Sequence, residues 1–214
     1  MNHVDQYLLL KTANFAADKH RNQKRKNAEQ TPYINHPIGV AFLLSEVGKV
    51  RETETLQAGL LHDTLEDTNT TYAELKLHFG NRVADIVSEV TDDKSLSKDE
   101  RKRKQIEHAS HLSVPARTVK LADKLHNLTS LLTDAPVGWD KSRIQGYFVW
   151  AHKVIEGLRG TNVHLEEELD KVFASNCYYD VENDFPMCFL ALPPEPDRAA
   201  LLEQYLNQMA ITKN

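Results

Sequence analysis

Apolar residues recur along most of this chain at the three-to-four-residue spacing of a helix with one buried face. Over residues 4–20, Leu8, Leu9, Ala13, Phe15, Ala16 and Ala17 predict a first helix. A polar, basic stretch over 21–30 interrupts it. His36-Pro37 then opens a second helix carrying Ile38, Val40, Ala41, Leu43 and Leu44, with proline suited to a first helical turn. The pattern predicts a third helix over residues 53–67. Shorter ones follow over 72–79 and 83–90, with Gly80-Asn81 as stop and restart. Residues 97–108 read as a charged, exposed helix. Pro115 starts a long apolar helix through Val119, Leu121, Leu125 and Leu128. Further helices are expected over 139–158, stopped by Gly160, and over 165–173.

No strand-like alternation appears before residue 175 and no repeat has solenoid spacing, so the expected fold is all-α, with helices packed on helices. The expected division is a helical domain over 1–174 and a C-terminal extension over 175–214. Within the extension, residues 176–196 mix aromatics and acids with Pro186, Pro193, Pro194 and Pro196, which predicts a loop or extended linker. Residues 197–210 read as a helix with a stripe of Leu201, Leu202, Tyr205, Leu206 and Met209. Such a stripe packs on its own domain or serves a partner.

The 214 residues, 41% apolar, suffice for one substantial core. A formal charge of −5 argues against a general nucleic-acid binder. No apolar run approaches the ~18 residues of a membrane span. The two cysteines, Cys177 and Cys188, are too few for a disulfide framework. A soluble cytoplasmic protein is expected, with unknown oligomeric state.

The chemistry concentrates in Leu60-Leu61-His62-Asp63-Thr64-Leu65-Glu66-Asp67. On a continuous helix His62 and Glu66 share a face, as do Asp63 and Asp67, each pair offset by about 40°. Burying so much negative charge is costly unless a cation offsets it. His36 stands at a helix entrance, and Asp123 lies in the apolar run Val119-Lys120-Leu121-Ala122-Asp123-Lys124-Leu125-His126-Asn127. Two imidazoles and two carboxylates would make a mixed nitrogen and oxygen site for a divalent ion. Taken singly, these residues have plainer readings. His62-Asp63 reads as a surface histidine beside a capping aspartate, and Asp123 as a buried ion pair with Lys120 or Lys124. Arg21, Lys24, Arg25 and Lys26 read as a solvated basic loop, and Tyr147, beside Phe148 and Trp150, as core.

His36, His62-Asp63 and Asp123 fall in the order found in the HD superfamily of metal-dependent phosphohydrolases. The strings Thr31-Pro-Tyr-Ile-Asn-His-Pro-Ile-Gly-Val-Ala, His62-Asp-Thr-Leu-Glu-Asp-Thr, Val90-Thr-Asp-Asp-Lys and Val119-Lys-Leu-Ala-Asp-Lys-Leu-His-Asn-Leu resemble the hydrolase domain of RelA/SpoT proteins. The stand-alone animal form is the nearest in pattern, over residues 7–173. That resemblance implies a compact helical bundle around one divalent site. It implies Mn²⁺ held by His36, His62, Asp63 and Asp123, and a catalytic pair, Glu66 and Asp67. Substrate contacts are implied at Arg25, Lys26, Asn127 and Tyr147. The implied reaction is hydrolysis of ppGpp to GDP and pyrophosphate, with NADPH 2′-phosphatase activity as a second possibility. The synthetase domain of the longer bacterial members is not expected in a chain of this length. A helical nucleotide sensor with a structural metal, and an HD hydrolase of another nucleotide, are the competing readings.

Overall fold

The structure is a computed structural model that describes residues 3–179 and 187–211. In chain order come α1 (His3–Lys19), α2 (Asn35–Glu46), α3 (Thr53–Leu61), the one-turn α4 (Thr64–Asp67), α5 (Tyr72–Phe79) and α6 (Asn81–Val90). After them lie α7 (Lys98–His108), α8 (Val114–Leu131), α9 (Lys141–Glu156), α10 (Val163–Phe173), a hairpin of β1 (Asn176–Tyr179) and β2 (Met187–Leu190), and α11 (Glu195–Ile211). No described helix is long and apolar enough to cross a membrane.

The predicted helix starts carry the capping chemistry that the unpaired first-turn N–H groups require. Ser97 and Glu100 form a reciprocal capping box on α7. Ser113 caps α8, Asp140 caps α9 and Asn162 caps α10. Gly80, at φ +87°, ends α5 and opens α6 in a conformation that side chains disfavour.

Helix α3 is the buried axis: every residue from Thr55 to Leu61 is buried, between α1, α2, α6 and α8. Helix α8 crosses it with Val119, Leu121, Ala122, Leu125 and Leu128 buried and packs on α2, α6 and α10. His62, which follows Leu61, and the inward face of α8 are therefore held in or beside the interior.

Two expectations require correction. The helix expected over 53–67 breaks at His62-Asp63. His62 Nδ1 lies 2.8 Å from the Gly59 carbonyl, and Thr64 Oγ1 donates to the Leu61 carbonyl at 2.7 Å. Side chains thus occupy carbonyls at the end of α3, and Asp63 turns the backbone at φ −97°, ψ −2° before α4 begins. The second correction is in the extension. Instead of a plain loop, β1 and β2 pair antiparallel, with Asn176 opposite Leu190 and Cys177 opposite Phe189. Pro186 lies outside the described residues. The Tyr178 N–H donates to the Leu132 carbonyl at 2.7 Å and Gln145 Nε2 to that of Leu190 at 2.9 Å, tying the hairpin to the bundle. The stripe of α11 packs on its own chain: Tyr205, Leu206 and Met209 are buried, against α9 and α7.

Candidate metal centre and nucleotide cleft

The turn after α3 directs His62 and Asp63 to the same point, where α2 delivers His36 and α8 delivers Asp123. His62 Nε2 lies 3.0 Å from Asp63 Oδ2 and 3.7 Å from Asp123 Oδ1; His36 Nε2 lies 3.6 Å and 3.2 Å from the same two oxygens. The two Nε2 atoms are 3.2 Å apart. Ligand-type atoms of His36, His62 and Asp123 all fall within 4.8 Å of one another. Asp63 Oδ2 adjoins both imidazoles and accepts from Tyr33 Oη at 2.5 Å.

Both imidazoles are deeply buried, His36 at 2% and His62 at 5% exposure. Burial opposes a charge on His62, but Asp63 and then Asp123 outweigh it and raise the imidazole to about 9. Burial works to raise the Asp123 carboxyl, yet Lys124, His36 and His62 together hold it well below the usual carboxylate range. Lys124 Nζ sits 2.8 Å from Asp123 Oδ2. The ion pair considered for Asp123 therefore exists, but it uses one oxygen and leaves the other facing the imidazoles.

This donor set fits a divalent cation. Two half-buried carboxylates bear on two buried imidazoles, and the negative charge that raises His62 is the charge a cation would offset. The ring orientations suit ligation as well. An Nδ1–H on His62 is anchored by the Gly59 carbonyl, leaving Nε2 toward the centre. His36 Nδ1 contacts His126 Nδ1 at 3.0 Å. Burial, followed by the charges of His36 and Arg25, pushes His126 down to about 4, so it is neutral and able to accept.

Glu66 and Asp67 part company at α4. Glu66 accepts from the Asp92 N–H at 3.1 Å and lies 3.4 Å from Arg101 Nη1. Burial and then Asp92 raise its carboxyl above the ordinary value. Asp67 is more open; it accepts from Gln23 Nε2 at 3.0 Å and pairs with Lys94 at 3.3 Å. Arg25 directs both terminal nitrogens to Asn127 Oδ1 at 3.2 Å, and Asn127 Nδ2 donates to Asp123 Oδ1 at 2.7 Å. The basic loop is thus wired to the centre.

Two cavities meet here. One of about 190 Å³ holds His62, Asp63, Glu66, Asp123 and Lys120 in its wall. The other, about 490 Å³, is walled by Arg25, Lys26, His126, Trp139 and Ser130. Tyr33, His36, Asp67, Asn127 and Tyr147 line both. Every predicted site residue therefore borders this compound cleft, Tyr147 included. Sequence reasoning assigned no chemistry to Tyr33, His126 or Lys102. The α8 residues had a legible signal: Lys120, Asp123, Lys124 and Asn127 recur at three-to-four spacing and so share one face. Lys102 had none, because α7 reads as solvent-facing throughout.

Residues 12–147 match the HD domain family. The guanosine-3′,5′-bis(diphosphate) 3′-pyrophosphohydrolase MESH1 of Xenopus tropicalis is 59% identical over 169 residues, covering 79% of this chain and 94% of that protein. The human protein of that name is 56% identical over 165 residues, covering 77% and 92%. A solved structure, described as a metazoan ortholog of SpoT that hydrolyzes ppGpp and plays a role in starvation responses, superposes with a TM-score of 0.76. It is 48% identical and covers 78% of this chain and 93% of that one. The chain belongs to the HD-domain family, in the branch that contains the metazoan SpoT orthologues.

Proposed function

We propose that this protein hydrolyses ppGpp at its 3′ position, giving GDP and pyrophosphate, with Mn²⁺ held by His36, His62, Asp63 and Asp123. The observation that carries the reading is that the His36 and His62 Nε2 atoms each lie 3.0–3.7 Å from an oxygen of Asp63 and one of Asp123, beside a cleft lined with basic side chains. The names of the MESH1 relatives supply the substrate class.

In the reaction, water adds to the phosphorus attached to the ribose 3′-oxygen, the bond from that oxygen to phosphorus breaks, and the 3′-hydroxyl regains a proton. A divalent ion in such a site acidifies water and offsets charge on phosphoryl oxygens. Glu66 takes the water's proton; a carboxyl raised by burial is a stronger base than an exposed one. Asp67 holds the mouth of the site through Gln23 and Lys94. Arg25 and Lys26 receive phosphate oxygens, Arg25 with its planar fork already aligned by Asn127. Tyr147 and Trp139, with ring centroids 5.8 Å apart, bound the nucleoside end.

The 2′-phosphate of NADPH is also borne on a ribose hydroxyl, so its hydrolysis to NADH and orthophosphate is a second reaction open to the same centre. We assign residues 1–174 to the hydrolase domain and 175–214 to an extension, whose described hairpin and α11 pack on that domain. The free thiols of Cys177 and Cys188 support a cytoplasmic setting. The test is pyrophosphate release from ppGpp: EDTA abolishes it, Mn²⁺ restores it, and Glu66→Ala lowers it by about 10²–10⁴-fold while the circular dichroism spectrum is unchanged. Wild-type turnover by Glu66→Ala would remove Glu66 from the mechanism.

A further inference from the structure

The 190 Å³ cavity has a side that the proposed reaction has not used. Besides the imidazoles, α7 and α8 contribute Lys102, Lys120 and Lys124 to its wall. Lys124 is 4% exposed and committed to Asp123. Lys120 is 7% exposed and forms no ion pair or hydrogen bond among the described residues. Lys102 is half-buried and lies over aromatic faces, 3.6 Å from the Trp150 centroid and 5.6 Å from that of Tyr147, and it too has no carboxylate within ion-pair distance among the described residues.

The neighbouring acids are occupied elsewhere. Asp92 accepts from Gln105 Nε2 at 2.7 Å, and Glu66 is shared between the Asp92 N–H and Arg101. Burying an ammonium group without a counter-charge is costly, so buried Lys120, with half-buried Lys102 beside it at a phosphoryl-transfer centre, calls for an anion. Burial and then Lys124 push Lys102 down to about 7, and the same two causes lower Lys120. Asp92, Glu66 and Asp123 pull both amines the other way without offsetting those two causes.

We infer that Lys102 and Lys120 form a subsite for the distal phosphate of the 3′-pyrophosphoryl group, and that they retain the pyrophosphate product until release. The inference rests on the pyrophosphohydrolase reading of the same centre. Arg25 and Lys26 belong to a different wall, in the 490 Å³ cleft, so the two basic clusters grip different parts of the nucleotide. The subsite favours a diphosphate over a monophosphate at the same ribose hydroxyl, because only the diphosphate reaches α7 and α8.

The test compares ppGpp with the guanosine nucleotide bearing a single 3′-phosphate, in wild type, Lys120→Met and Lys102→Met, together with inhibition by pyrophosphate. Methionine keeps the apolar stem and removes the charge. The expected result is a loss of kcat/KM at least tenfold greater on ppGpp than on the 3′-monophosphate, and a pyrophosphate inhibition constant raised at least tenfold. Equal losses on both substrates, with unchanged pyrophosphate inhibition, would overturn the subsite. Calorimetric titration of each Mn²⁺-loaded protein with pyrophosphate gives a readout that needs no turnover. If wild type hydrolyses neither nucleotide, the proposed reaction fails, while tight pyrophosphate binding lost in Lys120→Met still upholds the subsite. Lys120→Arg, which keeps the charge, recovers pyrophosphate binding; if it binds no better than Lys120→Met, charge is not the cause.

Discussion

His126 Nδ1 stands 3.0 Å behind His36 Nδ1, on the far side of the imidazole from the centre. Since His126 is held neutral, His36 donates its Nδ1–H to it and keeps Nε2 free for the cation. Residues that orient a ligand in this way contribute about 10–100-fold to metal affinity. His126→Ala should weaken Mn²⁺ binding by that factor without unfolding the protein, as read by calorimetry. Gly39 offers an independent route to the same defect, because a Cβ there would lie 2.2 Å from His126 Nε2. Gly39→Ala should therefore mimic His126→Ala. Unaltered affinity in both variants would exclude this role.

Proton release should accompany cation binding. His62 is raised to about 9, so at pH 7 the cation-free protein carries a proton there that the ion must displace. The sign follows: a proton favoured below pH 9 competes with Mn²⁺ below pH 9, so affinity rises with pH and levels off above it. Titrations at pH 7 in buffers of different ionisation enthalpy should show about one proton released per ion, on the linkage between metal and proton at a shared ligand. Affinity independent of pH between 6 and 9 would contradict the account.

The extension should be part of the folded unit. Tyr205 is 2% exposed, its ring lies 6.1 Å from that of Tyr147, and Gly146 leaves room for it: a Cβ there would fall 2.6 Å from Tyr205 Cβ. Tyr205→Ala should cost about 3–5 kcal/mol of stability, the range for deleting a buried aromatic side chain. It should also raise KM for the nucleotide more than it lowers kcat, since Tyr147 loses its backing. Denaturant titration and steady-state kinetics check the two parts. A variant as stable as wild type would mean that α11 is only loosely attached.

The helical fold was readable because apolar periodicity and capping residues agreed along most of the chain, as at Ser97 with Glu100. The break at His62-Asp63 was not, since Thr64 and His62 end α3 through side-chain contacts with carbonyls that no periodicity reveals. The hairpin escaped because β1 and β2 are four residues each and depend on Leu132 and Gln145, far away in sequence. His36, His62, Asp63 and Asp123 were nameable from local strings. Their convergence, the role of Tyr33 and the inward reach of Lys102 from a charged helix depend on tertiary packing. Lys102 is the clearest case: its neighbours in sequence are all polar, while Trp150 Nε1 donates to the Lys102 backbone carbonyl at 3.0 Å and pins that stretch of α7 inward.

The account stands on one divalent ion gathered by two imidazoles and two carboxylates from three helical segments. The most direct measurement is the stoichiometry of Mn²⁺ on protein first stripped with EDTA, by electron paramagnetic resonance of the free ion, for wild type and for Asp123→Asn. The predicted result is one ion per chain in wild type and at least a hundredfold weaker binding in the variant, which keeps its size and loses one ligand charge. A wild-type chain that binds no ion, or an Asp123→Asn chain that binds one as tightly, would contradict it.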